Sequence, residues 1–191
     1  ILDNNPADAL KGTVDDAKKL LADAGFPGGK GFPQFTITAS ANRGQPIIAQ
    51  ALQQMWSDNL GITATINVLE ENAYRAWVKA RKTEPYDLML NQWYTDYADP
   101  TNWYGDLVIA DYRNTHFQNA AFADLVKQAN AEPDVGERHA LFLAANKILE
   151  AEQPYTALYN PTDLWLVKPN VAGLEHEGVL DQFHIGEASF R

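Results

Sequence analysis

Apolar residues recur at helical spacing in the first part of the chain. Ala17, Leu20, Leu21 and Ala24 lie at i, i+3, i+4 and i+7 and predict a helix. Thr13 is placed to cap its start and Gly25 to stop it. FPGGKGFPQ (26–34) follows as a loop, because glycine and proline interrupt both helix and strand. FTITAS (35–40) alternates like a short strand. Ile48, Leu52, Met55 and Trp56 form a second helical stripe that ends near Asn59-Leu60-Gly61. ITATINVL (62–69) predicts a second strand, with Ile62, Ala64, Ile66 and Val68 on one face. Tyr74, Trp77 and Val78 suggest a third helix, and YDLMLNQW (86–93) a third strand.

Residues 34 to 93 therefore alternate strand, helix, strand, helix, strand. Helical crossovers between successive strands favour a mainly parallel sheet with helices packed on it, an α/β fold. The rest of the chain is more helical. A short helix is expected from Pro100 to about Leu107, and another on Phe122, Leu125, Val126 and Ala129. Asp134 and Glu137 have capping-box spacing before a longer helix carrying Leu141, Ala145, Ile148 and Leu149. YTALYN (155–160) and DLWLV (163–167) look like strands, and VAGLEHEGVLDQFHIGEASFR (171–191) has no strong period. There is no internal repeat.

The 191 residues suffice for one sizeable core, or one core and an appendage. A formal charge of -10 argues against nucleic acid and against anionic membrane surfaces as partners. Without cysteine there are no disulfides, thiolate nucleophiles or zinc–thiolate sites. No apolar run reaches the ~20 residues of a membrane-spanning helix. The sequence opens at ILDNNPADALKG, without methionine or a visible signal peptide, and reads as a piece of something longer.

Catalytic patterns are weak. Ser40, Ser57 and Ser189 lie outside any G-x-S-x-G elbow, and His116, His139, His176 and His184 are scattered. His176 sits in E-H-E, which reads more readily as a solvated loop than as a metal site. Asp96, Asp99, Asp106 and Asp111 lack the glycine-punctuated calcium loop. GGKG (28–31) precedes a strand and lacks the Ser or Thr of a phosphate loop, so it reads as a turn. The stretch WYTDYADPTNWYGD (93–106) is different, with carboxylates set among aromatics. Asp99-Pro100 has the form of a helix start, Asp99 as N-cap and Pro100 in the first turn. Asp96 has no such role. It follows the third strand, where ligands of open α/β sheets bind. Trp93, Tyr94 and Tyr97 surround it in sequence, and aromatic faces beside a carboxylate suit an ammonium group. A surface turn is the competing reading of the same residues.

AKKLLADAGFPGGKGFPQFTIT (17–38), IAQALQQMWSDNLGITATINVLE (48–70), YDLMLNQWYTDYADP (86–100), NKILEAEQPYTALYN (146–160) and LVKPNVAGL (166–174) together resemble one family, the family 5 extracellular solute-binding proteins of bacterial ABC importers, peptide-binding type. The resemblance runs in order over nearly the whole chain. It implies a two-lobed periplasmic-binding-protein-like fold. Residues 1–168 would then be the second lobe, and 169–191 a C-terminal return toward a first lobe. It also implies a binding protein rather than an enzyme, an extracytoplasmic location (periplasmic or cell-surface, with lipid attachment through a longer N-terminus), a membrane permease as partner, and no cofactor or metal. In the family's D-Y-x-[DE]-P motif the aspartate holds the peptide's α-ammonium, which places that role on Asp96. Trp93 would line the pocket with Tyr94 and Tyr97, and Tyr74 would face the ligand from the preceding helix. Some members meet the ligand carboxylate with a basic residue on the strand before the tryptophan. Here that run is Leu88-Met89-Leu90, which leaves Arg81 as a substitute. The same family includes receptors for oligosaccharides, nickel complexes and opines. From another class, Asp96 and Asp99 would be the acid–base pair of a glycoside hydrolase.

Overall fold

The computed structural model describes residues 12–42, 44–111, 115–160, 164, 166–177, 182–184 and 186–190. Their contacts divide them into two compact units, meeting in sequence between Gln92 and Trp93.

The first unit is the expected alternation. Helix α1 (Val14–Asp23) opens with a full capping box: the Thr13 hydroxyl accepts from the Asp16 amide, and the Asp16 carboxylate accepts from Thr13. Strand β1 (Phe35–Ser40), helix α2 (Gln45–Leu60), strand β2 (Ala64–Leu69), helix α3 (Glu71–Ala80) and strand β3 (Leu88–Met89) follow. The strands form a parallel sheet of order β2-β1-β3. Ile37 and Ala39 of β1 point to the α2 face, where they pack with Ala49, Ala64 and Leu90. Thr38 and Ser40, pointing the other way, are also buried. A strand covered on both faces reads as an almost unbroken buried run, as expected for parallel sheets.

The GGKG segment is the turn its sequence predicts. Gly29 is buried where the turn meets the end of α2, and a Cβ there would lie 2.4 Å from the Gly61 carbonyl oxygen. Gly61 in turn has φ +68 and would press a Cβ to 2.5 Å from the Gly28 oxygen. The two backbones touch directly, so both positions require glycine.

Three expectations change. The third strand pairs only at Leu88–Met89, because Leu90 makes the last bond to β1 through Thr38 and the chain then leaves the sheet. Leu20, Met55 and Val68 lie on their predicted stripes yet are exposed. YTALYN and the described part of DLWLV form no strand, since alternation gives extended structure only where a partner strand offers its hydrogen bonds.

The second unit is built on helices. A π-helix (Asn102–Ile109) leads to α4 (Ala120–Ala131) and α5 (Val135–Glu152), the last two joined by three residues. Tyr104, Leu107, Val108, Phe122, Val126, Ala129, Phe142 and Ala145 form its core. The predicted stripes of α4 and α5 face this core. Half of the expected capping box is present: Asp134 accepts from the Glu137 amide, but its own N–H goes to the Glu132 carboxylate. The region after residue 170, aperiodic in sequence, forms two small antiparallel pairs: β4 (Val171–Ala172) with β7 (Ser189–Phe190), and β5 (Glu175–Glu177) with β6 (Gln182–His184). Strands this short leave no period to detect.

Candidate functional site

The stretch 93–106 closes on a residue that sequence reasoning did not single out. Asn102 has no exposed surface. Its side-chain oxygen accepts the Trp93 indole N–H (2.9 Å) and the Asp96 backbone N–H (3.2 Å). Its amide nitrogen donates to the carboxylates of Asp96 and Asp106, each at 3.2 Å. Two acceptances and two donations use the full capacity of the amide and fix its orientation, since exchanging O and N would oppose like groups at all four contacts. The Asp106 carboxylate also accepts the Tyr97 hydroxyl at 2.6 Å, which pushes the Tyr97 pKa up.

Trp93, Asp96 and Tyr97, all expected at the site, are thus tied into one network by Asn102. Asp96 is exposed. One of its oxygens is held by Asn102, and the other has no partner among the described residues. Trp93 packs its ring on the core of the second unit, while Tyr94 and Tyr97 are about 40% exposed. The arrangement is an exposed carboxylate with one oxygen held by Asn102, the same amide that ties Trp93 and, through Asp106, Tyr97. Such a carboxylate can accept a hydrogen bond from a cation.

Asp99 does something else. Its carboxylate accepts from the Thr101 amide (2.9 Å), a turn bond just ahead of the π-helix, whose N-cap is Thr101 rather than the expected Asp99. It also accepts from the Arg138 guanidinium of α5 at 2.7 Å. Burial raises the Asp99 pKa, but the bonds from Arg138 and Thr101 outweigh it and hold the value at about 2. Asp99 is thus ionised at ordinary pH and engaged by Arg138 and the Thr101 amide. Arg138 also donates to the Ala129 carbonyl (3.1 Å) and stands 4.8 Å over the Phe142 ring, joining the start of the π-helix to both longer helices.

A pH-dependent stability follows. The Asp99 pKa is depressed from 3.8 to about 2, so the ion pair's contribution is fully present above about pH 4 and is lost as pH falls toward 2. Arg138→Met is expected to cost about 2 kcal/mol near pH 7, a figure kept low because both partners are partly solvated. In urea unfolding the gap between variant and parent should narrow steadily between pH 4 and pH 2. A constant gap would mean that Arg138 acts through packing alone.

Tyr74 and Arg81 belong to the first unit. Tyr74 is buried in the first unit, with its hydroxyl donating to the Leu90 carbonyl at 2.5 Å. Arg81 stacks 4.6 Å over Trp77, pairs with Glu84 and donates to the Pro85 carbonyl. It borders a shallow cleft of about 220 Å³ with Thr36, Thr38, Asn67 and Asp87. The Ser40 hydroxyl donates to Glu71 at 2.8 Å, while its amide donates to Gln45. Bonds from Arg75 and Ser40 hold the Glu71 carboxyl below its usual range. The four aspartates weighed for calcium do not converge: Asp96 and Asp106 meet at Asn102, Asp99 turns to Arg138, and Asp111 accepts from Thr115 and His116. The backbones of His176 and His184 lie in β5 and β6, and the metal reading of E-H-E falls on side chains outside the described set.

Known proteins resemble this chain. A profile of "Bacterial extracellular solute-binding proteins, family 5 Middle" matches residues 2–113. The periplasmic murein peptide-binding protein MppA of Escherichia coli (strain K12) is 30% identical over 158 residues, 82% of this chain and 29% of its own length. The periplasmic oligopeptide-binding protein OppA of Salmonella typhimurium is 27% identical over 172 residues, 90% of this chain and 31% of its own. Among solved structures, the periplasmic binding protein DppA of Helicobacter pylori, in complex with the peptide STSA, superimposes with a TM-score of 0.62 at 29% identity, covering 75% of this chain and 28% of DppA. The chain thus spans a little under a third of the length of these relatives.

Proposed function

The chain belongs to the bacterial extracellular solute-binding proteins of family 5, and from that premise we propose that it is the ammonium-reading lobe of a peptide receptor serving an ABC importer. The observation that carries the reading is the exposed Asp96 carboxylate, with one oxygen bonded to Asn102 and the other without a partner among the described residues, in the stretch that also carries Trp93 and Tyr97. A peptide's α-ammonium supplies the donors and the charge that this oxygen lacks. The relatives named for peptide binding support the ligand class.

In this proposal the parent protein is extracytoplasmic. A first lobe completes the cleft, the lobes close on the peptide by hinge motion, and the closed form is presented to the membrane permease. Backbone groups pair with the peptide main chain, which admits many sequences, while Asp96 requires a free amino terminus. Tyr94 and Tyr97 contribute ring surface. The buried Tyr74, bonded to Leu90, supports the first unit near the end of its sheet.

The test is a thermal-shift measurement on the full-length parent with a mixture of short peptides, compared with the same mixture N-acetylated. A ligand that binds only the native state raises the melting temperature. Free peptides are expected to raise it by several degrees at concentrations where acetylated ones do not. Equal shifts with both mixtures would return Asp96 to turn chemistry, and no shift with either would exclude peptides as the ligand class.

A further inference from the structure

We propose that Asn102 is the positioning residue of this ammonium seat, its buried amide holding one oxygen of Asp96 so that the other stays aimed at the ligand. The inference rests on the reading of Asp96 given above and names the residue on which that reading depends.

Burying a primary amide costs free energy unless every polar atom finds a partner, so a fully buried asparagine is a poor space-filler. Asn102 meets that requirement through four groups of one short stretch: the Trp93 indole, the Asp96 amide, and the carboxylates of Asp96 and Asp106. All four belong to the aromatic–acidic segment 93–106 that carries Asp96. The donated bond fixes the Asp96 rotamer, which on an exposed turn would otherwise be free, so less side-chain entropy is lost when ligand binds. The same amide nitrogen anchors Asp106, and through it the Tyr97 hydroxyl, so carboxylate and aromatic wall share one reference point. Asn102 and Asp106 both lie on the π-helix, where Ala110 donates to the Gly105 carbonyl at 2.9 Å. Such wide turns are uncommon and concentrate at functional sites.

Two carboxylates also share one neutral donor. Asp96 and Asp106 can be no further apart than their two 3.2 Å bonds to the Asn102 nitrogen allow. Their mutual repulsion is relieved when an ammonium group arrives, so the network that orients Asp96 also favours a cation over a neutral donor.

The experiment measures the affinity of the full-length parent for the free-amine peptide mixture and for its N-acetylated counterpart. The variants are Asn102→Ala, Asn102→Ser and Asp96→Asn. The readout is the ratio of the two affinities, which a general loss of folding does not change. Asn102→Ala is expected to reduce the preference for the free amine about tenfold. Asn102→Ser, which keeps one short donor, should fall between this variant and the parent, and it serves alone if the alanine variant does not fold. An unchanged ratio in both Asn102 variants, with the ratio abolished in Asp96→Asn, would overturn the positioning role and leave the ammonium reading standing. Parallel weakening of both ligands would also overturn it, marking Asn102 as purely structural. An unchanged ratio in Asp96→Asn itself would overturn the ammonium reading, and this inference with it.

Discussion

Asp96→Asn lowers the affinity of the full-length receptor for free-amine peptides by about thirtyfold and leaves N-acetylated peptides nearly where they were. The substitution keeps the side chain's shape, and its remaining oxygen can still accept from Asn102, which donates at 3.2 Å in the parent. What disappears is the negative charge on the outward oxygen. A hydrogen bond to a charged group contributes roughly 1.5–3 kcal/mol net, and about 2 kcal/mol corresponds to ~thirtyfold in affinity. The neutral amide also brings two N–H donors, one of which would face the ammonium and repel it. An acetylated terminus carries no charge and a single donor, so it gains far less from the carboxylate and loses little with it. Binding of free peptides to the parent should decline as pH rises through the α-amino pKa of ~8, and the variant should not show that decline. Isothermal titration with both ligand types at pH 6.5 and pH 9 decides the matter. Equal affinities of variant and parent for free peptides at the lower pH would remove Asp96 from recognition.

The residues around Asp96 differ in how far the sequence disclosed them. Trp93 and Tyr97 stood out because aromatics beside carboxylates are unusual in composition, and Asp99 because Asp-Pro has a local meaning at a helix start. Asn102 was silent. An asparagine just inside a helix is ordinary, and its four partners come together only when residues 93–96 fold back over the first turns of the π-helix. Arg138 was silent too, because its partner Asp99 is 39 residues away and no local pattern couples them. The fold shows the same division. β1, α2 and β2 are set by periodicity and by the glycine at position 61, and they lie where the pattern puts them. The third strand, YTALYN and the described part of DLWLV fall short of their pattern because strand propensity specifies an extended chain, while a strand also needs a neighbour. The π-helix was read as a short helix in the right place; its wider turn depends on packing around Tyr104, Leu107 and Val108, which the spacing does not reveal.

That packing rests on Phe142. Its ring, 1% exposed, stacks on Tyr104 of the π-helix with centroids 5.2 Å apart and an interplanar angle of 28°, and Arg138 covers it at 4.8 Å. Phe142→Ala removes the ring from between these two groups. Buried Phe→Ala changes cost about 3–5 kcal/mol, from lost transfer energy and from a cavity the surroundings do not fill. Against a typical domain stability of roughly 5–15 kcal/mol, such a loss takes away a large share of what holds α4, α5 and the π-helix together. The Arg138 side chain would lose its ring contact and Tyr104 its stacking partner at the same time. Tyr104 follows Asn102 by two residues, so a loosened π-helix releases the amide that fixes Asp96. Phe142→Leu is the control: it refills most of the volume and should cost about 1–1.5 kcal/mol. Urea unfolding of both variants, followed by near-ultraviolet circular dichroism, should show the leucine variant close to the parent and the alanine variant destabilised by about 3–5 kcal/mol. If the alanine variant instead unfolds within about 1 kcal/mol of the parent, the weight falls on the polar ties through Arg138, and Arg138→Met becomes the more damaging change.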